Sequence, residues 1–146
     1  MASSGRSVRL ILIGFLAGAV SVLVFHQGFI LIAYHLGLLP NAPYSWAPTA
    51  PLGVPRVLYS AFWGGLWGIA LAFAMDRLSG ANRLWVALLF GALLPTRVAA
   101  VIVTPLKGGD MTAWMNPQRI AIGFAVNGAW GLGAGLFYRL ARPRIA

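Results

Sequence analysis

The chain contains no cysteine and only two acidic residues among its 146. The absence of cysteine excludes disulfide bonds, thiol nucleophiles and Cys-ligated metals. Charged residues of both signs make up only 9% of the sequence, against roughly a quarter in an average soluble domain. A chain with so little charge could not cover a soluble surface. Composition therefore excludes a soluble enzyme and a disordered protein.

The residues that are present are mostly apolar, and the few charges are almost all basic. Hydrophobic residues make up 60% of the chain, and 11 basic residues give a net charge of +9. The basic residues stand in short groups beside apolar stretches instead of forming one run. This pattern is typical of a membrane protein and not of a nucleic-acid-binding domain. We therefore predict the lipid bilayer as a partner, and no nucleic acid.

Four apolar stretches are long enough to cross a bilayer, whose core of about 30 Å needs about 20 helical residues. The sequence predicts an all-α membrane protein that forms one four-helix transmembrane domain over residues 1–146. The predicted spans are residues 10–36, 57–75, 84–104 and 120–140.

The basic residues next to the spans predict how the protein is oriented. Loops on the cytoplasmic side of a membrane carry the excess of Lys and Arg. Both termini and the link near residue 80 should therefore be cytoplasmic. Seven basic residues fall on this side: Arg6, Arg9, Arg77, Arg83, Arg139, Arg142 and Arg144. Three fall on the other side: Arg56, Lys107 and Arg119.

The second and fourth spans carry similar motifs. Gly64–Gly68 reads GGLWG, and Asn127–Gly131, 63 positions later, reads NGAWG. In both spans an arginine precedes the tryptophan by eleven positions, and a proline lies just upstream of that arginine. The pattern predicts two tandem helical hairpins that insert the same way round. The alternative is a chance similarity between two Gly- and Trp-rich membrane helices.

Glycines at a spacing of four residues predict helix packing. Small residues allow membrane helices to approach closely, and a pair at this spacing lies on one face of its helix. We expect these glycines to contact other helices of the chain, or of a homo-oligomer or a larger membrane complex. They are Gly14 and Gly18, Gly64 and Gly68, and Gly131 and Gly135.

Four polar residues lie inside the spans at similar predicted depths: His26, Gln27, Arg97 and Asn127. Such residues are costly in a bilayer and often mark function. We predict that they form an intramembrane cluster in which Arg97 bonds to Gln27, Asn127 and the carbonyl freed by Pro95. One alternative is a structural Arg97 whose side chain extends to the outer interface, and another is a site at Arg97 for an anion or an anionic headgroup.

Three segments carry a resemblance to other proteins: Phe25–Gly28, Ala61–Gly68 and Asn127–Gly133. They resemble segments of small uncharacterised bacterial multi-pass inner-membrane proteins, over most of the chain. The resemblance implies a bacterial inner (cytoplasmic) membrane. It brings no activity, ligand or catalytic residue.

The sequence offers no recognisable catalytic set, since nucleotide-binding and metalloprotease motifs and paired carboxylates are missing. We therefore predict a protein that is not an enzyme and has no catalytic residue, no metal site and no cofactor. The leading interpretation is a structural or accessory component that acts through helix–helix contacts. The second is a small channel or transporter for an anion or small polar solute. The third is a haem-bearing membrane anchor subunit with His26 as a ligand.

Overall fold

The structure is a computed structural model that describes residues 2–78 and 82–142. Among these residues, four helices are long and apolar enough to cross a membrane, which confirms the predicted all-α class. They begin one to six residues before the predicted apolar stretches, because the helices continue beyond the segments that lipid requires to be apolar. They are span 1 (Ser4–His35), span 2 (Arg56–Asp76), span 3 (Asn82–Leu106) and span 4 (Pro117–Ala141). Arg144 lies outside the described residues.

Spans 1 and 3 each contain a turn of π-helix, which leaves a backbone carbonyl for another donor. The Tyr44 hydroxyl donates to the carbonyl of Leu23 over 2.8 Å, and the Thr104 hydroxyl donates to that of Ala99 over 2.8 Å. Span 1 belongs to a helix that runs as an α-helix at Ala2–Ser21, a π-helical turn at Val22–His26 and an α-helix at Gln27–His35. Span 3 consists of an α-helix at Asn82–Val98, the π-helical turn at Ala99–Val103 and a last turn at Thr104–Leu106.

One folded link joins the two helices of each hairpin. The link between spans 1 and 2 holds an antiparallel pair of strands, β1 (Pro48–Thr49) and β2 (Val54–Pro55). The link between spans 3 and 4 contains a 3₁₀ turn at Met111–Met115. Asp110 begins this turn, and hydrogen bonds from Thr112 hold the pKa of its carboxyl below the ordinary value.

The helices pack as two hairpins, with span 1 along span 2 and span 3 along span 4. The same close contact recurs in both. A Cβ atom added to Gly18 would collide with the carbonyl of Gly64, and one added to Gly91 would collide with that of Asn127. Gly64 and Asn127 are 63 positions apart, while Gly18 and Gly91 are 73 apart, because the first link is ten residues longer. The contacts therefore support the two tandem hairpins.

One end of the bundle is closely packed and carries the larger group of basic residues. We call it the basic end, where span 1 begins and spans 2 and 4 end. Asp76 pairs there with Arg6 at 2.5 Å and with Arg142 at 3.3 Å. The interior on this side is filled by buried side chains from spans 2, 3 and 4: Leu71, Ala72, Met75, Ala87, Ala134 and Tyr138. The opposite half of the bundle is more open.

Candidate functional site

A cleft of about 490 Å³ lies between the two hairpins, on the side of the bundle away from the basic end. We call it the central cleft. Spans 2 and 3 form its walls, and they touch each other far less than the helices within a hairpin do. All four spans contribute to its lining. The residues that line it include His26, Ser60, Trp67, Pro95, Lys107 and Asn127.

The lining of the central cleft comes from equivalent positions of the two hairpins. Four pairs of repeat-related residues line it: Val22 and Pro95, His26 and Ala99, Gly64 and Asn127, and Trp67 and Trp130. The first two pairs are 73 positions apart and the last two are 63 apart, as at the glycine contacts. The cleft therefore lies where the repeats meet. The two hairpins differ in the polar residue that each contributes. His26 of the first hairpin is equivalent to Ala99 of the second, and Asn127 of the second is equivalent to Gly64 of the first.

His26 is a polar wall residue of the central cleft. Its Nδ1 atom is buried and has no hydrogen-bond partner among the described residues. A buried polar atom without a partner costs about 1–3 kcal/mol. The imidazole therefore lacks the hydrogen bond that would normally hold a buried histidine in one orientation, and a molecule in the cleft could supply it.

Asn127 is held in place by a short hydrogen-bond chain within the second hairpin. The Thr96 hydroxyl donates to the carbonyl of Gly123 at 3.2 Å, and its oxygen accepts from Nδ2 of Asn127 at 2.9 Å. Because the hydroxyl proton is already engaged, the amide must present its NH₂ to Thr96. Asn127 is therefore fixed at the cleft wall. The role of Thr96 was not predicted. In the sequence, it is only a single hydroxyl residue next to a proline in an apolar span.

Arg97 lies outside the predicted polar cluster, so this part of the prediction is wrong. Its side chain is exposed on the surface of span 3 and forms no hydrogen bond or ion pair in the described part of the chain. The reason is helical phase. The neighbouring Thr96 faces span 4, and adjacent helical residues point about 100° apart. Arg97 therefore shares the depth of Asn127 without sharing its direction.

Gln27 also lies apart from Asn127. It is buried, and its Oε1 accepts a hydrogen bond of 2.8 Å from the backbone N–H of Tyr44. The side chain thus fastens the proline-rich first link to span 1. Of the four predicted polar residues, the central cleft brings together only His26 and Asn127.

The two repeat-related tryptophans each reach across to the other hairpin. Trp130 on span 4 donates from Nε1 to the carbonyl of Gly18 on span 1 at 2.9 Å. Ser21 on span 1 donates in turn to the carbonyl of Trp130 at 2.6 Å. Trp67 on span 2 packs edge-on against Phe90 on span 3, with ring centroids 6.1 Å apart. These contacts join the hairpins at the base of the cleft.

All six glycines of the spaced pairs lie against other helices of the same chain. Gly14 and Gly18 meet Gly64 and Gly68 along the contact between spans 1 and 2. On span 4, a Cβ added to Gly131 would collide with the carbonyl of Ala87, and one added to Gly135 would lie 2.5 Å from the Cβ of Ala87. The close contacts that these glycines permit are therefore used within the bundle.

A second cavity, of about 530 Å³, lies beneath the first link. We call it the outer cavity. Its polar lining includes Gln27, Asn41, Ser45 and Arg56. His26 and Ser60 line both this cavity and the central cleft, so the two spaces share a wall.

No metal-binding arrangement is found among the described residues, which contain no group of three or more His, Asp or Glu side chains close enough to hold an ion. Comparison with known protein families, curated proteins and solved structures finds no match to the chain. The resemblance to small bacterial inner-membrane proteins therefore stays a prediction.

Proposed function

We propose that this multi-pass membrane protein is a non-enzymatic carrier or channel that holds a small solute in the central cleft. The observation that carries the proposal is the position of the cleft between two repeated hairpins. In many membrane transporters the substrate site lies near the bilayer midplane at the interface between repeats. The repeat-related lining described above matches that arrangement.

The chemistry of the cleft supports the same function. Intramembrane polar groups commonly mark a solute pathway, because each is costly when it faces lipid. His26 and Asn127 line a space large enough for a small molecule. Both side chains offer hydrogen bonds with a neutral group. These hydrogen bonds could therefore replace the hydrogen bonds to water that a solute loses when it leaves the aqueous phase.

The packing at the basic end favours a carrier over an open channel. Leu71 and Met75 are almost completely buried there, as are Ala134 and Tyr138. The interior is thus filled by side chains toward that end, and the central cleft lies away from it. A carrier that alternates between two states has one closed side in each of them.

We further propose that the protein belongs to a bacterial inner membrane with both termini in the cytoplasm. The excess of basic residues near the termini and the second link supports this orientation. The basic end then faces the cytoplasm, and the central cleft and outer cavity open to the outside.

The spaced glycines no longer favour the accessory function that the sequence first suggested. They contact one another within the chain, so they do not by themselves indicate a partner helix. Assembly into a homo-oligomer or a larger complex stays a prediction.

Flux measurements in proteoliposomes test the proposed function. The solutes are chloride, acetate, inorganic phosphate and glycerol. We expect at least one to cross faster than in protein-free vesicles. Val98→Trp should abolish that flux, because Val98 lines the cleft and an indole there would fill it.

Val101→Trp is the matched control, since Val101 lies on the same helix but on the exposed surface, at 58% exposure. It should leave the flux unchanged. The proposal fails if all four solutes cross at the rate of protein-free vesicles, or if Val98→Trp has no more effect than Val101→Trp.

A further inference from the structure

We infer that the solute is an anion, which reaches the central cleft from the outer cavity past His26 and Ser60. This inference rests on the proposed function and deepens it by naming the substrate class. It depends on three features: the shared wall between the two cavities, the charges that line them, and the position of Lys107.

The shared wall gives the two cavities a common polar boundary. His26 belongs to span 1 and Ser60 to span 2, and each lines both cavities. Both side chains can donate a hydrogen bond while neutral. A solute that moves from one cavity to the other therefore passes donors and meets no carboxylate.

The charges around the two cavities are of one sign. Arg56 lines the outer cavity, and Lys107 lines the central cleft. Both acidic residues of the chain lie elsewhere: Asp76 pairs with Arg6 and Arg142 at the basic end, and Asp110 is bound to Thr112 in the second link. Among the described residues, no acid lines either space. Neither cation forms an ion pair among the described residues, and two such charges at the walls of a low-dielectric cleft create a positive potential, which attracts anions.

Lys107 is placed where a charge would control access to the central cleft. It follows span 3, yet its Nζ lies 5.2 Å from the centre of the Tyr59 ring on span 2. The side chain thus bridges the two helices that form the cleft walls. The contact with the ring positions the ammonium without neutralising it. An anion that has passed from the outer cavity into the central cleft would therefore lie near this charge.

The anionic group could belong to a free solute or to a lipid headgroup, since both present the same charge to Arg56 and Lys107. The central cleft opens between spans 2 and 3, so a headgroup could enter from the bilayer. Two measurements are therefore needed: one for the preference of the central cleft for anions, and one for whether the anionic group belongs to a free solute or to a lipid.

Fluorescence quenching tests the charge preference, because Trp63, Trp67 and Trp130 line the central cleft. Trp46, Trp85 and Trp114 are first replaced by Phe in the full chain, to reduce the background. The protein is placed in phosphatidylcholine nanodiscs and titrated with iodide, caesium and neutral acrylamide. We expect iodide to quench the cleft tryptophans more strongly than caesium does.

Variants then assign the preference to the two cations. Arg56→Gln and Lys107→Gln should each lower the iodide quenching constant roughly twofold or more, because each removes one wall charge. They should leave acrylamide quenching unchanged. Arg97→Gln and Arg119→Gln are the controls, since neither residue lines the central cleft or the outer cavity. They should leave both constants unchanged.

Exchanging phosphatidylcholine for the anionic lipid phosphatidylglycerol shows whether the anionic group comes from a lipid headgroup or from a free solute. A headgroup in the central cleft would block acrylamide as well as iodide, whereas a free anion as the natural solute would leave acrylamide quenching unchanged. The inference is overturned if iodide has no advantage over caesium, or if the control variants reduce that advantage as much as Arg56→Gln and Lys107→Gln do. If acrylamide itself cannot reach the cleft tryptophans, the proposed function fails together with the inference.

Discussion

Trp130 shows how one side chain joins the two hairpins. Its indole N–H reaches the carbonyl of Gly18, and its own carbonyl accepts from the buried hydroxyl of Ser21. Gly64 leaves room for the ring, since a Cβ added there would lie only 3.2 Å from Nε1 of Trp130. The hydrogen bond thus depends on the same glycine that allows spans 1 and 2 to pack closely.

Trp130→Phe tests this contact. We expect a loss of about 0.6 kcal/mol in the free energy of unfolding, the average for hydrogen bonds between membrane helices. Trp67→Phe is the control at the equivalent position, where the ring contact with Phe90 carries the interaction and a Phe ring preserves it. Unfolding in detergent–denaturant titrations measures both. Equal stabilities of the two variants would contradict the role assigned to the Trp130 N–H.

The direction of single side chains was the part of the site that the sequence predicted least well. Depth along a span follows from counting residues, so the shared level of Arg97 and Asn127 was predictable. The face that Arg97 occupies depends on which side of span 3 packs against span 4. That side is set by Ala87 and Gly91, and only the structure shows that Thr96 shares it.

At the scale of helices, the close glycine contacts determine how each hairpin is built. Span 1 presents Gly14 and Gly18 to span 2, and span 3 presents Ala87 and Gly91 to span 4. Because lipid tails are as apolar as leucine, such contacts gain stability from close backbone packing instead of from hydrophobic burial. The glycines of spans 1, 2 and 4 were predictable from their spacing. Gly91 was missed, because its partner at that spacing is an alanine.

Gly18→Leu should destabilise the first hairpin, because any Cβ at this position collides with the backbone of span 2. Overpacking of this kind costs about 1–3 kcal/mol or more. Gly28→Leu is the matched control on the same helix, where an added Cβ has no neighbour within 4 Å. We expect that variant to unfold at the wild-type denaturant concentration. If both variants have the stability of the wild type, the packing account is wrong.

At the scale of the whole molecule, the two ends of the bundle differ. Near the basic end, Asp76 joins the start of span 1 to the end of span 4 through Arg6 and Arg142. Toward the other end, spans 2 and 3 separate and leave the central cleft, with Lys107 across its mouth. The charge asymmetry that predicts the orientation thus coincides with a difference in packing.

The sequence predicted this architecture better than it predicted the site. Hydropathy indicates the spans, because lipid requires about 20 apolar residues whatever the tertiary contacts are. The repeated GGLWG and NGAWG motifs indicated the hairpins. The cleft was not predictable, because it arises where the repeats differ, at His26 and Asn127, and where two helices fail to pack. Neither feature produces a periodic pattern of residues in the sequence.

The central claim is that the cleft is open to water from the outer side and closed from the cytoplasmic side. The chain contains no cysteine, so a single introduced thiol reports its own surroundings. Ser60→Cys places the thiol on the wall shared by the central cleft and the outer cavity. Ala134→Cys places it in the closed half, at a residue only 1% exposed.

Labelling of intact membranes with a charged, membrane-impermeant methanethiosulfonate reagent is the most direct test, because such reagents require a water-accessible thiol. We predict that Ser60→Cys reacts when the reagent is applied from outside, while Ala134→Cys stays unlabelled from either side. If Ser60→Cys were as unreactive as Ala134→Cys, there would be no solute-accessible cleft and the account would be wrong.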